Sequence, residues 1–158
     1  MVFQTEVKET IKVCGLTRLL TRSQQKNYGI ISNHWRMFNQ ELRSRKLWQG
    51  KDWKKYGITY QHDGNYYYMA AIQESAALNG FLSLEITDGM YAHFQHQGSM
   101  ELLKATYYKI YKQTIPQHQL VIDKSRTILH YEQYGSRFHW NRSDSIIDIY
   151  VPLNNRNE

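Results

Sequence analysis

The order of periodicities along the chain constrains the fold more than any single motif. Twice, an extended run leads into a long amphipathic helical run, which leads into two further extended runs. In the first pass, "TIKVCGLTRLLT" (10–21) is rich in Val, Ile, Leu and Thr and reads as a strand, with Gly15 placed for a bend. "SQQKNYGIISNHWRMFNQELRSRKL" (23–47) repeats Tyr28, Ile31, Trp35, Phe38 and Leu42 at three- and four-residue steps, one broad helical stripe with Ser23 as N-cap. Gly29 and Asn33 weaken its early turns. "KYGITYQHDGNYYYMAAIQ" (55–73) sets two Tyr- and Ile-rich runs around Asp63-Gly64, a tight-turn dipeptide, and predicts a hairpin.

The second pass opens with "FLSLEITDGMYAHFQHQG" (81–98), two extended runs around Asp88-Gly89. "SMELLKATYYKIYKQTIP" (99–116) is the second helix, with Leu103, Tyr107, Ile110 and Thr114 on one face and Pro116 at its end. "RTILHYEQY" and "SIIDIYVPL" close the chain as strands, joined by the loop "GSRFHWNRSDS". The repeat lies in element order, not in residue identity. It predicts a single α+β domain over 1–158, built of duplicated βαββ units at about 5–75 and about 80–153. Both long helices should lie on one side of an antiparallel sheet, leaving a groove for a ligand.

Composition excludes several chemistries. The single cysteine, Cys14, sits in an apolar stretch, so an internal disulfide and a cysteine-based zinc site are both ruled out. Seven histidines are scattered, and His93 and His96 fall on opposite faces of a predicted strand, so no metal is expected. No nucleophile elbow and no phosphate loop is present, and no cofactor is expected. The polar N-terminus and the lack of a long apolar run predict a cytoplasmic protein away from membranes. A net charge of +6 is concentrated in "RSRKLWQGKDWKK" (43–55), where Trp48 and Trp53 are interleaved with six cations. Single-strand binders can show that pattern, but the favoured reading is a solvated helix end and loop.

Aromatic content is the outlier, with 13 tyrosines and 4 tryptophans. Within "TILHYEQYG" a carboxylate, Glu132, interrupts good strand residues. Strand alternation puts Glu132 on one face with His130 and Tyr134, and Leu129, Tyr131 and Gln133 on the other. Tyr107 and Tyr108 on the second helix, co-facial Tyr66 and Tyr68 on the hairpin, and Tyr150 opposite Ile149 are further rings available to it. If they converge, ring faces and one negative charge make a site for an organic cation. If they do not, these are ordinary sheet tyrosines and an exposed glutamate.

The stretch "YAHFQHQGSMELLKATYYKIY", the strand "HYEQYG" and the closing "DIYVPL" resemble GyrI-like small-molecule-binding domains, the effector-binding domains of multidrug-responsive AraC- and MerR-type regulators. "KVCGLTR" and "YGITYQHDGNYYYMAAI" fit the first half, so the resemblance runs from about residue 5 to 153. It implies two βαββ repeats and a buried glutamate, Glu132, ringed by aromatics that meet lipophilic aromatic cations. Tyr134 and Tyr150 stand in the family's signatures, and Tyr107 stands where relatives carry Trp or another aromatic. Tyr66, Tyr68, Trp140 and Phe138 follow by position. With the whole chain used by one domain, the resemblance implies a stand-alone drug-sequestering or sensing protein without direct DNA binding. Some relatives imply instead a hydrolase of cyclopropane-containing DNA alkylators, with Glu132 and Tyr107 as its catalytic pair. Others imply a protein partner such as gyrase or a regulator.

Overall fold

Strand pairing starts where the sequence is least ambiguous. The computed structural model describes residues 1–47, 50–74 and 80–155. In it Asp63 and Gly64 both take positive φ, 50° and 79°, the turn whose twist suits a two-residue hairpin. This turn joins β3 (Lys55–His62) to β4 (Asn65–Gln73), as expected. The remaining strands are β1 (Phe3–Lys8), β2 (Ile11–Leu19), β5 (Leu82–Ile86), β6 (Gly89–Gln97), β7 (Ile128–Tyr134) and β8 (Ile146–Pro152). All described strands form one antiparallel sheet in the order β1-β6-β8-β7-β3-β4-β2-β5. Exchanging β1 with β5, β2 with β6, β3 with β7 and β4 with β8 only reverses that order, so the two halves are related by an internal twofold.

Each repeat keeps the order βαββ, with its first strand divided in two. Only Glu9 and Thr10 separate β1 from β2, and only Thr87 and Asp88 separate β5 from β6. The runs around Asp88-Gly89 do not pair with each other. Instead β1 and β2 pair with β6 and β5 in one continuous register, from Phe3↔Phe94 to Gly15↔Leu82. Each pair of strands is one long strand bent in the middle, and Asp88 N–H donates to Thr10 Oγ1 (3.2 Å) across the bend. The bend therefore falls before Gly15. Gly15 serves another end: a Cβ there would lie 1.9 Å from the Ala70 carbonyl oxygen, so only glycine lets β2 approach β4.

Helix α1 (Gln24–Ser44) is capped by Ser23, whose Oγ accepts from Lys26 N–H (3.3 Å). It runs unbroken through Gly29 and Asn33, because Trp35, Phe38 and Leu42 bury its stripe and outweigh the weak propensity of its first turns. The second helical segment is divided. A 3₁₀ turn (Met100–Leu102) leads into α2 (Leu103–Tyr108), a π-helical stretch (Lys109–Thr114) and the short α3 (Ile115–Gln117). Pro116 has no N–H and crowds the carbonyl four residues back, and the wider π turns precede it.

Both helices lie on one face, where Trp35, Phe38, Leu42, Leu103 and Ile110 pack on Tyr68, Ile72, Ile147, Ile149 and Val151. Among the described residues the other face buries Val13, Tyr56, Ile58, Met69, Tyr91, Tyr131 and Tyr150 without any helix, because the sheet curls on itself. In β7 alternation holds only from His130 onward. Thr59 pairs with His130 but Tyr60 with Ile128, so Leu129 is the extra residue of a bulge and Ile128 packs on the Tyr131 side. Among the described residues no helix is long and apolar enough to cross a membrane.

Candidate functional site: a carboxylate held by three phenols

Glu132 lies in the middle of the sheet, paired with Gly57 of β3 on one side and Ile149 of β8 on the other. Its side chain points between sheet and helices and is 5% exposed. Desolvating a carboxylate costs several kcal/mol unless donors replace water. Here the donors are phenols from three elements. Tyr134 of β7 donates to Oε1 (2.6 Å), Tyr68 of β4 donates to Oε1 (2.9 Å) and Tyr107 of α2 donates to Oε2 (2.5 Å). Trp35 of α1 donates its indole N–H to Tyr68 Oη (2.7 Å), so side chains from both helices and from β4 and β7 meet at one charge. Among the described residues, no lysine, arginine or histidine forms an ion pair with Glu132.

Burial pushes the Glu132 carboxyl above the usual range, opposed by the hydrogen bonds from Tyr107, Tyr134 and Tyr68. Burial, reinforced by the Glu132 charge, holds all three phenols well above their ordinary values, so they stay protonated donors. His130 shares the Glu132 face, as alternation predicts. It bonds to Tyr111 Oη (2.7 Å), and burial lowers its pKa to about 4, leaving a neutral ring rather than a counter-charge.

Gly57 makes this arrangement possible. A Cβ there would lie 2.0 Å from Tyr68 Oη and 2.7 Å from Glu132 Oε1. The bare backbone of β3 is the space in which phenol and carboxylate meet. Neither Gly57 nor Trp35 was marked by the sequence as part of the site. An isolated glycine in a strand signals close approach without saying of what, and a helix-stripe tryptophan is the same residue whether it is core or donor.

Beside this cluster lies a cavity of about 70 Å³. It is lined by Trp35 and Tyr134, by Phe138 and Trp140 of the loop before β8, and by Trp53 and Lys55. The Phe138 ring meets Tyr134 edge-on at 4.9 Å, and Trp140 meets Phe138 at 6.3 Å. The structure thus brings together Glu132, Tyr68, Tyr107 and Tyr134, with Phe138 and Trp140 next to them. It does not bring in Tyr150 or Tyr66. Tyr150 lies on the opposite face, stacked on Tyr131 at 4.8 Å and on His93 at 4.4 Å. That follows from register: β8 sets Tyr150 beside Tyr131 and Ile149 beside Glu132. Tyr66 is 44% exposed near the end of the hairpin.

The histidines stay apart. His96 faces the helices and bonds to Thr106 (2.6 Å), whereas His93 faces Asp148 (2.8 Å). Among the described residues no group of three or more His, Cys, Asp or Glu is placed to hold a metal ion. In the basic stretch, Trp48 lies outside the described residues. Arg45 pairs with Glu41 (2.7 Å) and covers the Phe81 ring (4.3 Å), so part of that charge is engaged by the fold.

Solved structures share this architecture. SAV2435 bound to tetraphenylphosphonium superposes with a TM-score of 0.75 at 20% identity, covering 99% of this chain and 96% of that one. A putative bacterial transcription regulation protein from Staphylococcus aureus MU50 gives 0.68 at 15% identity, covering 98% and 99%. The EcmrR C-terminal domain gives 0.57 at 14% identity, also covering 98% and 99%. No protein with a curated description matches the sequence. The model of the GyrI-like small molecule binding domain matches residues 1–154, which span every described strand of the sheet and both helical segments, and the chain belongs to that family.

Proposed function

We propose that the chain binds lipophilic aromatic cations with Glu132 as the counter-charge, and so sequesters or senses them. The observation that carries this reading is a buried carboxylate whose partners among the described residues are phenols alone. Phenols reduce the cost of burying the charge but do not neutralise it, so an incoming cation gains the uncompensated part. Rings around the charge add cation–π attraction that tolerates many ligand shapes. The tetraphenylphosphonium held by SAV2435 supports the same ligand class here. A drug-sized ligand fills about 300–1,000 Å³, far more than the present cavity, so binding requires the aromatic walls to part.

Titration with tetraphenylphosphonium and with neutral triphenylphosphine oxide tests this. Glu132→Gln should weaken the cation strongly and the neutral compound little. Equal losses for both would remove the electrostatic role.

The contact of Tyr107 with Glu132 also favours a second reading, in which the pair opens a strained ring, the carboxylate activating water and the phenol supplying the proton. Catalytic turnover of a cyclopropane-bearing alkylator would support it, and stoichiometric protection alone would reject it.

A further inference from the structure

The cavity beside Glu132 carries a charge of the opposite sign. Lys55 of β3 reaches its rim, where Nζ donates to Asn39 Oδ1 (2.7 Å) and lies 5.3 Å from the centre of the Trp53 ring. Among the described residues no carboxylate forms an ion pair with it. The ammonium is partly buried, and that burial, with Arg43 nearby, lowers its pKa. Asn39, Trp53 and Lys55 also line a groove that continues outward past Arg43 and Lys46. A partly desolvated cation without an anion keeps part of its charge uncompensated, as the carboxylate on the neighbouring strand does.

The sheet register sets where the two side chains start. Lys55 pairs with Tyr134, and Gly57 pairs with Glu132. Lys55 and Glu132 thus leave the sheet on the same face, from positions two residues apart along neighbouring strands, roughly 6.6 Å of backbone. Between them lie Trp35 and Tyr134, both tied into the Glu132 hydrogen-bond network.

We propose that this chamber selects amphoteric aromatic molecules, whose acidic group meets Lys55 while the ring system packs on Trp53, Phe138 and Trp140 and a cationic centre turns toward Glu132. The inference rests on the cation reading for Glu132 and adds a recognition element for an acid at Lys55. A ligand with both charges satisfies both unpaired groups, whereas a simple cation leaves the Lys55 ammonium uncompensated and repelling it.

Rhodamine B, a zwitterion at neutral pH, and its ethyl ester, a permanent cation, differ at the acid alone. Fluorescence anisotropy with the full chain should show rhodamine B binding about fivefold more tightly, the gain from one partly exposed ion pair. Lys55→Met should erase the preference by weakening rhodamine B and, with the repulsion gone, holding or tightening the ester, while Lys55→Arg should retain it. Equal binding of the two probes by the wild type, preference for the ester, binding of neither, or a preference that survives Lys55→Met would each overturn the proposal. Glu132→Gln reports separately on the underlying reading. If it leaves the ester's affinity unchanged, the cation reading fails, and a persisting Lys55-dependent preference then identifies an acid site alone.

Discussion

Tyr107 donates its phenol hydrogen to Glu132 Oε2 across 2.5 Å, and this bond joins the second helical segment to the middle of the sheet. Tyr107→Phe removes one of three donors from a buried charge without removing the ring. The variant should lose about 1–3 kcal/mol, read as a lower urea midpoint at unchanged slope. The loss should shrink in acid, where Glu132 is protonated and needs fewer donors. An unchanged midpoint at neutral pH would mean that water replaces the phenol and that the bond contributes nothing net.

Two glycines give opposite expectations for the same substitution. At Gly57 a methyl group collides with Tyr68 Oη and Glu132 Oε1, so Gly57→Ala must displace the phenol or the carboxylate. It should destabilise by about 1–3 kcal/mol and weaken tetraphenylphosphonium binding. Gly29 lies in α1 with nothing within 4 Å of the added Cβ, so Gly29→Ala should stabilise by roughly 0.5–1 kcal/mol. Denaturation of both variants checks the pair. A neutral Gly57→Ala would show that the site has slack that the geometry denies.

These positions also mark how far the sequence was legible. The two halves, the hairpin at Asp63-Gly64, the Ser23 cap and the face shared by Glu132, His130 and Tyr134 follow from local chemistry, which a linear pattern records. What was hidden depended on pairing between distant segments. The polar run Phe3–Lys8 is a strand only because β6 lies beside it. Tyr150 faces away from Glu132 because of register between β7 and β8, which no residue type announces. Gly57 and Trp35 enter the site through a close approach and a hydrogen bond that exist only once four elements are assembled. The resemblance supplied Glu132 as a site. Neither it nor the pattern supplied the space around it.

Acid should weaken cation binding through Glu132. Its folded pKa is raised, chiefly by burial. A raised carboxyl favours the folded state fully below the unfolded pKa near 4.3, and that contribution is lost as pH rises through the folded value. The ionised form is the one that attracts a cation, so tetraphenylphosphonium affinity should climb with pH through the same raised value. Glu132→Gln should flatten that climb and remove its share of the pH dependence of stability. Binding measured by calorimetry across pH 4 to 8 in both proteins, a window spanning the ordinary carboxyl value, decides it. An identical pH profile in the variant would place the titrating group elsewhere.

His93 supplies a second pH dependence with a different source. Its Nε2 contacts Asp148 Oδ1 (2.8 Å) and its Nδ1 contacts Glu6 Oε1 (2.7 Å), linking β6 to both β8 and β1. The Asp148 hydrogen bond raises the His93 pKa, burial opposes it, and Glu6 adds a further rise. Burial likewise opposes ionisation of Asp148, but the bonds from His93 and Gln95 and the charges of His93 and Arg137 bring it below the usual carboxylate range. For His93 the stabilising charge is fully present below the unfolded value near 6.5 and is lost as pH rises through the higher folded value. Stability should therefore fall across that window, and His93→Gln should remove the fall while leaving the Glu132 dependence in place. The imidazole resonances in a proton NMR titration give the His93 midpoint directly. A midpoint at or below the ordinary histidine value would show that burial outweighs the two carboxylates.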